Sequence, residues 1–263
     1  MRICCGSVCY RHQGLDECLA MMAEAGYKEV ELVAIPTWIH VDLQAIDAEA
    51  LQRRCEAAGL GLAALYPGGV NCTSPEATEQ SVAYIQRAID VAGDTGVGRI
   101  VFTGQGRDTA PLAAAIEGYK RLADYLVDKP VAICLENHYR NQIEFPDDYR
   151  QVFAAVDSPQ FAMTIDTGHF TSSQVDFLAL ADEFADRLRH VHVKDHIGAE
   201  SVPLGQGETD NAGLVRKLLR MGYDGYLSVE VEAKDHENNP RYAADALPYL
   251  QALVARCTQE AAG

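Results

Sequence analysis

Residues 131–138, VAICLENH, read as a buried strand that ends in a carboxylate. Successive side chains of a strand point to opposite faces, so Ile133 and Leu135 share one face while Cys134 and Glu136 share the other. A buried carboxylate without a partner is costly. Glu136 therefore needs a positive partner, and the chain on either side of this stretch indicates where that partner comes from.

The same division into two faces recurs in three further predicted strands, at 161–166, 190–194 and 226–232. In each, branched apolar residues occupy one face and small or polar residues occupy the other. The ionisable groups near the ends of the polar faces are Asp166, His192, Lys194, Glu230 and Glu232. We expect the apolar faces to pack against helices and the polar faces to point into the centre of the fold.

The whole chain repeats one unit, a short β-rich run followed by a turn and an amphipathic helix. The predicted strands are 2–8, 29–33, 60–66, 99–103, 131–136, 161–166, 190–194 and 226–232. The predicted helices are 15–25, 43–58, 75–95, one that opens at Pro111, 146–156, 175–187, 211–221 and 241–258. Pro75 suits a first helical turn, and Gly96 suits the end of the helix that it begins.

Eight such units in 263 residues match the roughly 250 residues of a (β/α)8 barrel. The predicted fold is therefore α/β, a single-domain (β/α)8 TIM barrel over residues 1–263. A doubly wound open sheet is the alternative. The regular count of units and the lack of a glycine-rich dinucleotide turn argue against it.

In such a barrel the carboxyl ends of the strands carry the active site. Four consecutive strands would bring Glu136, Asp166, His192 and Glu230 to one spot, where three carboxylates would repel one another. A divalent cation resolves that conflict, and three oxygens with one nitrogen suit manganese, magnesium, cobalt or zinc. Each residue alone has a commoner role, as a helix cap, a salt-bridge partner or a core histidine. Their shared face and level favour a metal site.

Composition excludes several classes of function. The apolar fraction is 48%, and no apolar run approaches the roughly 20 residues that cross a membrane. The net charge of −16 makes nucleic acid an unexpected partner, since phosphate binding needs a basic surface. The start, MRICCGSVCY, does not resemble a signal peptide. The eight cysteines are best interpreted as free thiols, which predicts a cytoplasmic protein.

Five stretches resemble the xylose-isomerase-like barrels, a group that includes sugar epimerases, hydroxypyruvate isomerase, inosose-processing enzymes and apurinic endonucleases. The stretches are CLENH (134–138), TIDTGH (164–169), RHVHVKD (189–195), PLGQGETD (203–210) and YDGYLSVEVE (223–232). The resemblance covers the second half of the chain in sequence and the first half only in architecture. It implies metal ligands at Glu136, Asp166, His192 and Glu230, with Glu232 as the alternative to Glu230.

The resemblance also implies an isomerase or epimerase of a sugar or keto-sugar, which works by proton transfer through a metal-stabilised enediolate. Glu136 and Glu230 would be the catalytic residues, and His138, His169 and Lys194 would hold substrate oxygens. For Lys194 the alternative is an ion pair with a neighbouring carboxylate. The expected partner is a small carbohydrate or keto-acid, and analogy allows a homo-oligomer.

Three other functions have to be weighed against isomerisation. The same site could expel water, which would make a dehydratase of an inosose or a dehydroshikimate-like substrate. DNA cleavage would need more histidine ligands and a basic surface, and a sugar sensor would not need clustered carboxylates. Residues 104–107, GQGR, weakly resemble a phosphate-binding loop, and Tyr10 and Trp38 are candidate apolar walls for a sugar.

Overall fold

Eight parallel strands close into a barrel in the protein, seen in a computed structural model that describes residues 1–36 and 38–262. The strands in chain order are β1 (Arg2–Gly6), β2 (Glu29–Val33), β3 (Gly61–Tyr66), β4 (Arg99–Phe102), β5 (Ala132–Glu136), β6 (Phe161–Asp166), β7 (Leu188–Val193), β8 (Asp195–Ile197), β9 (Glu200–Val202) and β10 (Tyr226–Val229). The order around the barrel is β1-β10-β7-β6-β5-β4-β3-β2, while β8 and β9 form a separate antiparallel hairpin. The predicted TIM barrel is confirmed.

Helices connect the strands as the repeating pattern predicts. They are α1 (Leu15–Glu24), α2 (Ala48–Ala57), α3 (Pro75–Asp94), α4 (Leu112–Leu126), α5 (Pro146–Ala155), α6 (Thr167–Ser172), α7 (Phe177–Glu183), α8 (Asn211–Arg220) and α9 (Asn239–Ala262). Pro75 lies in the first turn of α3, and Gly96 follows that helix with a φ of +73°, a conformation that glycine adopts at little cost. None of the helices in the described part of the chain has the length and apolar character that crossing a membrane requires.

The two faces of the strands divide as predicted. The branched side chains of β5, including Ile133 and Leu135, pack outward in the large core beneath the helices. Small side chains fill the centre of the barrel and form a separate apolar cluster, whose members include Ala132, Cys134 and Ala162. All eight cysteines are free thiols, and most are buried.

Two predicted elements near the mouth of the barrel are present but shorter than predicted. The first strand stops at Gly6 rather than residue 8, and Ser7–Tyr10 form a 3-10 turn. The Ser7 hydroxyl accepts a hydrogen bond from the Val33 backbone N–H at 2.8 Å, so the chain is tied to β2 instead of continuing along its own strand. The predicted helix 43–58 begins only at Ala48, because the Asp47 side chain caps it.

The second half of the chain also departs from the predicted boundaries. The predicted helix 175–187 is the shorter α7, whose first turn is capped by the side chain of Asp176. The last barrel strand is regular only to Val229, because beyond it the backbone N–H groups of Val231 and Glu232 bond to side chains of other elements. The short helix α6 and the β8–β9 hairpin were not predicted.

Candidate metal centre

Four ionisable side chains meet at the carboxyl-terminal mouth of the barrel. Glu136 and Asp166 end β5 and β6, His192 lies near the end of β7, and Glu230 directly follows β10. All four are buried, and each offers one ligand atom within 4.8 Å of the others. The structure therefore brings together the quartet that the strand ends predicted. Its binding of a metal stays a prediction.

His192 lies at the centre of this quartet. Its Nδ1 is 2.6 Å from Glu136 Oε1, 3.5 Å from Glu230 Oε2 and 3.8 Å from Asp166 Oδ2. Its Nε2 faces away from the quartet and lies 2.9 Å from Glu31 Oε1, with the N–H too poorly aligned for a full hydrogen bond. Burial alone would lower the pKa of His192, but Glu230, Glu31 and Glu136 together raise it well above its usual value.

Lys194 supplies a buried positive charge beside the quartet. Its Nζ lies 2.8 Å from Glu230 Oε2, 2.9 Å from Glu232 Oε2 and 3.3 Å from Asp166 Oδ2. Burial opposes its charge, but these carboxylates raise the pKa of Lys194 well above its usual value. Lys194 therefore forms an ion pair with Glu232, which was the alternative role predicted for it. A role for Lys194 in holding substrate stays a prediction.

Glu232 differs from Glu230 in the positively charged side chains that it contacts. Glu232 pairs with both Lys194 and Arg11. Burial raises the pKa of Glu232, but the two cations hold it well below its usual value. Among the described residues it is Glu230, and not Glu232, whose carboxylate lies with Glu136, Asp166 and His192.

The four side chains fit a divalent cation by their chemistry. Asp166 Oδ1 accepts the backbone N–H of His169 at 2.8 Å, while the buried Oδ2 has no well-aligned hydrogen bond and lies 3.3 Å from the Lys194 ammonium. Burial, reinforced by Glu136, raises the pKa of Glu230 to about 7 although His192 and Lys194 oppose the change. A bound cation would contact that oxygen and relieve the crowding of carboxylates.

Two residues beneath the quartet were not singled out from the sequence. Glu31 of β2 is buried inside the barrel, where its Oε2 lies 2.5 Å from Nε2 of His190. Burial raises the pKa of Glu31, but His192 and His190 lower it well below its usual value. The sequence does indicate that Glu31 points inward. Glu29, Glu31 and Val33 alternate with apolar residues, as the inward-facing residues of the later strands do.

The predicted substrate contacts His138 and His169 lie together beside Lys194. The two imidazole rings stack with centroids 3.8 Å apart, and His169 Nε2 is 3.2 Å from Lys194 Nζ. Burial, aided by Lys194 and His138, lowers the pKa of His169 well below its usual value, which favours the neutral ring. The structure places all three predicted substrate contacts at one side of the quartet.

An open cleft with about 450 Å³ of empty space leads down to the quartet. Its lining residues are Val8, Val33, Trp38, Tyr66, Thr103, Glu136, His138, Lys194, Glu230 and Glu232. The Tyr66 hydroxyl donates to Glu136 Oε2 at 2.8 Å. Trp38 lines the cleft as expected, whereas Tyr10 does not and is a buried core residue.

A glycine allows the close packing of α6 against the end of β7. A Cβ added to Gly168 would lie 2.6 Å from the Lys194 Cβ and 2.5 Å from the His196 Cδ2, which is closer than carbon atoms approach. The absence of a side chain at Gly168 therefore lets Asp166 and His169 reach Lys194 from the same turn.

The stretch that resembled a phosphate-binding loop has a structural role. Arg107 pairs with Asp148 and Glu144, so its charge is already neutralised. A Cβ at Gly104 would lie 2.9 Å from the Cβ of Gln142, so this glycine is explained by close packing.

Comparison with known proteins identifies both relatives in sequence and neighbours in structure. Among curated relatives, the inosose dehydratase of Geobacillus thermodenitrificans is 27% identical over 157 residues, which are 52% of this chain and 52% of that protein. The inosose dehydratase of Clostridium perfringens is 24% identical over 275 residues, with 90% of this chain and 89% of that protein covered. The chain spans about half the length of the first of these relatives.

Solved structures share the fold over nearly the whole chain. An L-ribulose 3-epimerase superposes with a TM-score of 0.81 at 18% identity, covering 99% of this chain and 96% of that one. A D-tagatose 3-epimerase-like protein superposes with a TM-score of 0.84 at 19% identity, covering 99% and 100%. The profile of the family described as xylose isomerase-like TIM barrel matches residues 19–253. The chain therefore belongs to the xylose isomerase-like TIM barrel family.

Proposed function

We propose that the chain is a divalent-metal-dependent isomerase or epimerase of a sugar, keto-sugar or keto-acid. The observation that carries the proposal is the buried quartet of Glu136, Asp166, His192 and Glu230 at the foot of an open cleft. The likeness to an L-ribulose 3-epimerase supports the same class of reaction.

The quartet would hold the cation through three oxygens and one nitrogen, a set that suits manganese, magnesium, cobalt or zinc. Asp166 Oδ2 supports this assignment, because this buried oxygen accepts no well-aligned hydrogen bond and shares the Lys194 ammonium, 3.3 Å away, with Glu230 and Glu232. When bound, such a cation polarises a substrate carbonyl and stabilises the negative charge that develops on its oxygen.

Glu136 and Glu230 would move the protons. They stand on β5 and just beyond β10, so their carboxylates reach the cleft from two sides. A carboxylate oxygen of one takes the proton from the carbon beside the substrate carbonyl, and the same or the facing glutamate returns a proton to the other face or to the neighbouring carbon. The Tyr66 hydroxyl fixes the orientation of the Glu136 carboxylate.

Lys194, His169 and His138 would hold the hydroxyl oxygens of the substrate. Lys194 is a charged donor, while the neutral ring of His169 can donate or accept. Their stacking and mutual contact fix them at one side of the quartet, so the substrate carbon chain would run from the cation toward these three residues.

A dehydratase is the second candidate, and the inosose dehydratases among the relatives favour it. Elimination begins with the same proton abstraction by a glutamate. It then needs a proton for the departing hydroxyl, which the Lys194 ammonium would supply from Nζ. The bond from carbon to the hydroxyl breaks as that proton arrives, and water leaves.

The deciding experiment is a screen of ketoses, keto-acids and inososes with added Mn²⁺ in deuterated water, with products identified by NMR. Deuterium incorporation with a moved carbonyl or an inverted carbon would establish the isomerase or epimerase. Loss of a hydroxyl would establish the dehydratase. Protein that binds Mn²⁺ and changes no member of the three classes would overturn both.

Dependence on the cation has its own test. Prolonged treatment with a chelator should abolish the turnover found in the screen, and one divalent cation added back should restore it. Turnover that persists after the cation has been removed, as verified by elemental analysis, would rule out the metal assignment.

A further inference from the structure

A buried carboxylate lies behind the proposed metal centre. Glu31 is 1% exposed and comes from β2, which lies opposite β6 in the barrel and is separated from β10 by β1 alone. It contacts two histidines of β7, His190 at 2.5 Å and His192 at 2.9 Å. A buried charge is costly, and an apolar side chain would fill the same space with less loss of stability. The position of Glu31 therefore suggests a task beyond packing.

The two ring nitrogens of His192 have different surroundings. Nδ1 faces the oxygens of Glu136, Asp166 and Glu230, whereas Nε2 faces Glu31 Oε1. A histidine that binds a metal has one nitrogen free of its proton, and the other nitrogen keeps a proton. In the structure Nδ1 is hydrogen-bonded to Glu136 Oε1 at 2.6 Å, and the 2.9 Å contact of Nε2 with Glu31 is poorly aligned. With a cation on Nδ1, that nitrogen gives up its proton, and the carboxylate beside Nε2 attracts the proton that remains.

His190 in turn holds Glu31. Its Nε2 lies at hydrogen-bond distance from Glu31 Oε2, so the two carboxylate oxygens are divided between two imidazoles. This division fixes the plane of the carboxylate and keeps Oε1 at His192. A chain of contacts through His190, Glu31 and His192 thus runs from the interior of the barrel up to the quartet.

We propose that Glu31 is a positioning residue of the metal centre, which holds the proton of His192 on Nε2 and so makes Nδ1 the ligand atom. The inference rests on the proposed metal site. Carboxylates that fix a ligating histidine in this way usually contribute about 10–100-fold to metal affinity.

The test is an Mn²⁺ titration followed by electron paramagnetic resonance, with Glu31→Gln compared with wild type. The amide keeps the shape of the side chain and removes its charge, and we expect Mn²⁺ to bind about 10–100-fold more weakly. Glu29→Gln is the matched control, because Glu29 lies on the same strand but contacts Arg2 and Tyr226 away from the quartet. The control should bind Mn²⁺ as wild type does.

The outcomes separate the two proposals. Wild type that fails to bind any of the four divalent cations would overturn the proposed metal site. Wild type and Glu31→Gln that bind Mn²⁺ equally well would overturn only the role of Glu31, as would a variant that loses thermal stability with unchanged affinity for Mn²⁺.

A measurement on the wild type keeps the inference testable if Glu31→Gln does not fold. With ¹⁵N-labelled histidine and bound Zn²⁺, long-range nitrogen–proton NMR distinguishes the protonated ring nitrogen from the ligating one. We expect the His192 proton on Nε2. A proton on Nδ1, with Nε2 as the ligand, would contradict the inference.

Discussion

The two halves of the barrel differ in what their strand ends present to the cleft. From β1 to β4 the lining side chains carry no formal charge: Val8, Val33, Trp38, Tyr66 and Thr103. From β5 onward the strand ends carry the carboxylates, imidazoles and ammonium group of the site. Glu31 is the acidic exception in the first half, and it lies beneath the cleft rather than in its wall.

This contrast suggests that the two halves of the barrel have different roles in the reaction. Changes in the second half should impair cation binding and proton transfer, and should therefore lower kcat. Changes in the first half should alter how well a given substrate fits, and should therefore affect KM and preference. The predictions below test this division, and they begin with the variant expected to have the largest effect.

Glu136→Gln should reduce kcat by about 10²–10⁴-fold, because the residue is the proposed proton carrier as well as a ligand. The variant should remain folded, since it removes one of several crowded carboxylates. Steady-state kinetics and circular dichroism would check both points. Glu117→Gln, on an exposed side chain of α4, is the control and should retain full activity. Normal turnover by Glu136→Gln would refute its assignment.

Lys194→Met should destabilise the metal-free protein by about 3–5 kcal/mol, because it leaves buried carboxylates without their cation. Urea unfolding in the presence of a chelator would measure the change. Lys217→Met is the matched control, since Lys217 pairs with the exposed Asp182 and such pairs contribute about 1 kcal/mol or less. Equal losses in the two variants would argue that Lys194 is an ordinary ion-pair partner.

Tyr66→Phe tests the border between the two halves. Tyr66 belongs to the uncharged half, yet its hydroxyl donates to Glu136 at 2.8 Å. A hydrogen bond to a charged group contributes about 1.5–3 kcal/mol, so kcat should fall by about tenfold or more with little change in KM. Tyr125→Phe, which loses a surface contact to Asp90, should behave as wild type. A pure KM effect would place Tyr66 with the walls of the cleft.

Trp38→Ala should have the smallest effect, a rise in KM of about threefold to tenfold with kcat unchanged, because it removes apolar contact area and a single contact with the Arg11 guanidinium, 5.7 Å from the centre of the ring. Trp38 is 48% exposed at the entrance of the cleft. Phe145→Ala provides the comparison, since Phe145 is similarly exposed but does not line the cleft. A large loss of kcat in Trp38→Ala would show that the first half takes part in the chemistry.

The strand ends of the second half were predictable because alternation along a strand is a local property. Once residues 131–136 are taken as a strand, Glu136 must lie on the face opposite Ile133 and Leu135. Closure into a barrel then brings the ends of neighbouring strands together without any further information. The quartet and its level in the fold follow from those two steps.

The contacts of Glu31 were not predictable by the same route. Its partners lie 159 and 161 positions away in the chain, on a strand across the barrel, and they depend on the tilt and register of all the strands between. The β8–β9 hairpin was missed for a different reason. Each of its strands has three residues, which is too short for a periodic pattern to stand out.

Gly168 gives the site a sensitivity that the charged residues do not reveal. Gly168 leaves no room for a methyl group between the turn after β6 and the Lys194 Cβ. The position of the Lys194 ammonium among its carboxylates therefore depends on the missing side chain. A side chain at Gly168 would push Lys194 away from Asp166 without altering any ionisable group. We therefore expect one added carbon at this uncharged position to displace the Lys194 stem or the His196 ring, and so to disturb the site.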